Sequence, residues 1–131
     1  MSYATRADLE RLALPAAALM GISAADQDAA LEAASDLADG YLRARYTLPL
    51  VAWEDDLRRA VAAIAAYDLM VRRGFSPTGA DEQLRLRYED ALRWLERVSA
   101  GQLHPRIVDS SPEPETTEPV GYTAPLRGWS E

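Results

Sequence analysis

Ala60-Val61-Ala62-Ala63-Ile64-Ala65-Ala66 is the stretch on which the fold turns. Five of these seven residues are alanine, the strongest helix former. A helix that is apolar all round must be covered on every side, by its own bundle or by another subunit. Working outward, Asp55 and Asp56 precede the run and Arg72 and Arg73 follow it, the order that a helix dipole favours. The reading is a helix over 55–73, with Gly74 ending it in a left-handed turn. Asp68 interrupts the apolar run, and is expected to pair with Arg43, Arg45 or Arg72 or to face outward. The run is far shorter than the ~20 residues that span a membrane, so no membrane is expected as a partner.

The flanking chain carries matching helix signals. Thr5…Asp8, Ser23…Asp26 and Thr78…Asp81 each put a hydroxyl at a helix start with an acid three residues on. They open a short helix at about 5–12, a long one at about 23–46 and another at about 80–100, with a turn at 15–20 set off by Pro15. The 23–46 helix would bury Leu31, Ala34, Leu37, Ala38, Tyr41 and Leu42, and would be roughly 35 Å long. Leu48 and Leu50, either side of Pro49, would plug a groove between helices. Leu84, Tyr88, Ala91, Leu95 and Val98 mark the buried face of the last helix, which Gly101 ends. The expected class is all-α: a small bundle of about four helices, two of them long, over residues 1–101.

From 102 to 131 the chain changes character. Five of the eight prolines lie here, and 110–119 is a run of proline, acid and hydroxyl residues that cannot hold a helix. This reads as an extended, proline-rich C-terminal arm. Tyr122, Leu126 and Trp129, with Arg127 between them, restore apolar surface after the polar spacer, as in a tether carrying an anchor. They are the candidate docking residues.

Composition excludes whole classes of function. There is no cysteine, hence no disulfide scaffold, thiolate metal site or cysteine nucleophile. Twenty-one acids against fourteen bases, every one arginine, give a net charge of −7, the wrong sign for a surface that grips nucleic acid. Arg6, Asp8, Glu10 and Arg11 interrupt any secretory h-region, so no signal peptide is expected. Alanine buries little area, so the core is thin unless neighbouring subunits add to it. On that argument Ala62 and Ala66 are candidate subunit-interface positions.

No motif points to catalysis. His104 is the sole histidine and reads as surface. Asp26-Gln27-Asp28 opens like a calcium loop, but leucine stands at 31 and 37 where that loop needs glycine and glutamate. Glu54, Asp55 and Asp56 read as helix-start electrostatics, and Arg43 with Arg45 as helix-end charge. Phosphate loop, zinc spacing and nucleophile elbow are all missing. An enzyme is not expected, and no cofactor or metal is called for.

Three blocks nevertheless look familiar: Ser2-Tyr3-Ala4-Thr5 with Asp8-Leu9-Glu10-Arg11; Ala38 through Leu50; and Arg87 through Leu95, ending in Gly101. In their order and spacing they resemble a family of small neck proteins of phages and prophages typified by phage Mu. That family is similar in helical plan to the head-to-tail adaptor proteins of long-tailed phages. Leu126-Arg127-Gly128-Trp129 also resembles the family's aromatic ending, whereas the apolar stretch 12–22 departs from its acidic, glycine-containing turn.

The resemblance implies a virion protein of the neck, assembled in the host cytoplasm as a dodecameric ring. Such a ring lies beneath the portal protein and meets a head-closure or tail-terminator protein. DNA passes through the lumen without specific binding, which the acidic balance would favour. The rival readings are a helical regulatory or DNA-binding protein and another neck part such as a tail terminator or head-closure protein.

Overall fold

The computed structural model describes residues 2–73 and 80–112. These form five helices: α1 (Arg6–Leu12), α2 (Ala16–Leu19), α3 (Ala24–Leu42), α4 (Asp55–Arg73) and α5 (Ala80–Ser99). The all-α bundle holds, with three long helices rather than two and a single turn, α2, at the stretch after Pro15. The caps form as the sequence requires. Thr5 and Asp8 make a reciprocal capping box, and Ser23 accepts from the Asp26 backbone N–H. The Thr78 cap and the Gly74 turn lie outside the described residues.

α4 is the axis of the bundle, packed by α5, α3 and α1. Its apolar centre is therefore enclosed by its own chain. Ala62 and Ala66 each have 0% exposure within the single subunit. This corrects their assignment as subunit-interface positions: neither presents surface to a neighbour. The small alanines instead let α3 and α5 approach α4 closely, and Leu57, Val61, Leu95 and Val98 fill the space between.

α3 is shorter than the spacing suggested, ending at Leu42 instead of about Tyr46. Past the helix end, Arg45 reaches the far end of α5. Its Nε and Nη2 donate to the carbonyls of Ser99 and Ala100 at 3.3 and 3.0 Å. Leu37 also departs from expectation. It is 40% exposed, while Ser35 is fully buried in the stripe with Leu31, Ala34, Ala38 and Leu42. Leu50 is buried and Leu48 packs against the core, as expected of the segment around Pro49.

The packed body runs past Gly101, which takes φ +79° and ends α5. Leu103 and Ile107 lie against the core, while His104 is exposed. Val108 forms an antiparallel bridge with Ala52, and Ser110 donates to the Thr47 carbonyl at 3.1 Å from its backbone N–H. Asp109 Oδ2 accepts from the Thr47 N–H at 2.7 Å. The boundary drawn at 101–102 thus moves: residues 103–110 belong to the body.

Candidate interface groove

A cavity of about 460 Å³ opens between α1, α4 and α5. Both long helices line it with the same spacing. α4 supplies Asp56, Arg59, Ala60 and Ala63; α5 supplies Arg87, Asp90, Ala91 and Trp94. Each set steps by three, one and three, which keeps the side chains on one helical face. The alanines are the physical cause of the trough. With only a methyl group at 60, 63 and 91, the helices meet without filling the space above them, and Leu12 and Trp94 become walls.

The groove has an apolar floor and a charged rim. Arg59, Arg87, Asp56 and Asp90 are all exposed. Asp90 is already engaged by Arg93 at 2.7 Å, and Arg87 reaches the Ala13 carbonyl at 3.5 Å. Asp56 accepts from the Leu57 N–H at 2.8 Å. Among the described residues, no ion pair involves Arg59 or Asp56.

Beside the groove, Asp55 is clamped by Arg11 and Arg58, each within 3.0 Å. The Arg11 hydrogen bonds, then those from Arg58, hold its carboxyl down to about 2. The acids at 54–56 were read as helix-start charge; Asp55 in addition ties α1 to α4. Asp68 pairs with Arg72 at 3.3 Å, one of the expected partners. The Glu89–Arg93 contact is long, at 3.9 Å.

A second polar cluster holds the N-terminal segment. The Tyr3 N–H donates to the buried Ser35 Oγ at 2.9 Å, and Trp53 Nε1 donates to the Tyr3 carbonyl at 2.8 Å. The Tyr3 hydroxyl donates to Asp39, and its ring meets Trp53 edge-on. Burial first, then the hydrogen bond to Asp39, push the Tyr3 phenol above its ordinary range. These partners make a fastener for the N-terminal segment.

Among the described residues no group of three histidines or acids is placed to hold a metal. No described helix is long and apolar enough to cross a membrane. The candidate docking residues Tyr122, Leu126, Arg127 and Trp129 lie outside the described residues. Sequence reading missed the groove, although its signal was present in the repeated charge–charge–alanine spacing of α4 and α5.

The family described as Bacteriophage Mu, Gp36 matches residues 3–123. The chain belongs to this family. It is 34% identical over 125 residues to "Gene product J" of Escherichia phage Mu, covering 93% of this chain and 84% of that protein. It is also 39% identical over 89 residues to "Mu-like prophage FluMu protein gp36" of Haemophilus influenzae, covering 68% of this chain and 57% of that one. The chain is thus a bacteriophage protein of Mu-like type. Every groove residue lies inside the span matched to the Mu family, as does Tyr122, whereas Leu126, Arg127 and Trp129 follow it.

Proposed function

We propose that this chain is a structural head-to-tail connector, an adaptor that forms a ring below the portal and joins the DNA-filled head to the neck and tail. The observation that carries the reading is the groove on a Mu-family helical body. An apolar trough rimmed by opposite charges is suited to receiving another polypeptide. The resemblance of the chain's sequence blocks to a family similar in helical plan to adaptor proteins of long-tailed phages supports the same reading. The arm, through Tyr122, Leu126, Arg127 and Trp129, docks on the portal or on a neighbouring subunit. A net charge of −7 per chain suits a lumen that lets DNA pass without holding it.

The test is a phage or prophage in which this gene is silenced. Electron microscopy should show DNA-filled heads and free tails in the same lysate. Joined, infectious particles at normal yield would sink the reading, as would labelled protein located away from the neck. Tight binding to duplex DNA at modest salt would favour a regulatory protein instead.

A further inference from the structure

We infer that the groove between α1, α4 and α5 receives the C-terminal segment 120–131 of a neighbouring copy of this chain, with Trp129 seated on its alanine floor. The inference rests on the ring reading and names the contact that would link one subunit to the next.

The fit is chemical and geometric. A pocket of about 460 Å³ lies in the ~300–1,000 Å³ range of sites that enclose small-molecule ligands, room enough for a tryptophan side chain. Tryptophan is the side chain that gains most from such a site, because it buries the largest apolar area and dominates interface energies. Arg127, two positions earlier, then lies within reach of Asp56, the rim carboxylate with no cation partner among the described residues. Glu113, Glu115 and Glu118 of the incoming spacer complement Arg59, which has no acidic partner there either.

Reach allows a neighbour's groove as well as the chain's own, and the ring reading selects the neighbour. The base of the arm is pinned where Val108 bridges Ala52, four positions before the groove residue Asp56. That separation spans at most ~14 Å of chain. Trp129 lies seventeen positions after Pro112. A proline-rich spacer at ~3.1 Å per residue could carry it up to roughly 50 Å, enough to reach a neighbouring subunit. A tether of that length suits the crossing of one subunit to reach the next.

The absence of cysteine makes the test clean. Ser130→Cys places a thiol beside Trp129, and Asp90→Cys places one on the exposed rim. The purified full-length double variant is oxidised after light scattering has recorded its assembly state. The expected result is a ladder of covalent multimers that reduction collapses. Adding Trp129→Ala should cut the linked fraction about tenfold, the loss of a central aromatic anchor. A fast-migrating, internally linked monomer overturns the inference by placing the segment in its own groove. Assembled rings without a ladder, or a ladder indifferent to Trp129→Ala, overturn it while leaving the ring reading intact and the portal as the arm's other partner. Chains that do not assemble at all defeat both.

Discussion

The centre of α4 and the seam that closes the bundle's ends hold the same chain together by different physics. At the centre, Val61, Ala62, Ala65 and Ala66 are fully buried within the bundle that α1, α3 and α5 form around α4, and nothing but close packing is involved. At the seam, residues far apart in sequence are tied by single polar contacts: Tyr3 to Ser35, Trp53 to Tyr3, Arg45 to the end of α5 and Thr47 to Asp109. The first region tolerates no charge. The second depends on each donor keeping its acceptor. The difference teaches where a substitution should unfold the protein and where it should only loosen it.

The harshest way to probe the contrast is a charge at the centre. Ala62→Glu and Ala66→Glu would each bury a carboxylate with no partner, at a cost of several kcal/mol. Against a total stability of roughly 5–15 kcal/mol, that should abolish most of the helical circular dichroism at 37 °C. Folded variants that merely fail to assemble would mean that α4 faces a neighbour after all.

Ser35→Ala probes the seam. It removes the acceptor of a buried N–H and should cost about 1–3 kcal/mol, read as a lower urea midpoint at unchanged slope. An unaffected midpoint would show that Trp53 and Asp39 hold the N-terminal segment without the Ser35 contact. Gly101→Ala should follow at about 1–2 kcal/mol, since φ +79° penalises a side chain. The new Cβ would also sit 2.2 Å from Arg45 Nη2, displacing the guanidinium from the last carbonyls of α5. Gly101→Ala at wild-type stability would mean that the Arg45 contacts add nothing.

The same contrast explains what the sequence disclosed. Apolar periodicity is local, so α4 was legible residue for residue, and the Thr5 and Ser23 caps with it. Whether the covering of Ala62 and Ala66 came from this chain or another was not, because a hydrophobic pattern records burial and never the identity of the neighbour. Around the end of α3 the chain makes contacts more than fifty residues away, such as Arg45 to the Ala100 carbonyl, which local periodicity does not register. Residues 103–110 read as arm because Pro105 and the proline-rich run that follows mask a period-two alternation, with Leu103 and Ile107 turned inward. The groove was hidden for a different reason. It arises from what alanine leaves empty, and a vacancy between two helices appears only once their register is known.

The smallest expected effect concerns the tie between α1 and α4. Asp55 is half-exposed and held to about 2 by Arg11, then Arg58, against an ordinary value near 3.8. A carboxylate with a depressed folded-state value stabilises the fold above its unfolded value, and that contribution is lost as pH falls through the folded one. Arg11→Gln should therefore lower the melting temperature slightly at pH 6, and the gap to wild type should close between about pH 4 and pH 2. Asp8 shares Arg11, so the assignment needs a direct observation: the Asp55 carboxyl carbon followed by NMR. Its midpoint should rise toward the ordinary value in Arg11→Gln while keeping part of the depression that Arg58 supplies. Both residues are about half exposed, and ion pairs of that kind contribute little at neutral pH. A gap that stays constant down to pH 2 would assign the Arg11 effect to packing of its aliphatic stem instead of to charge.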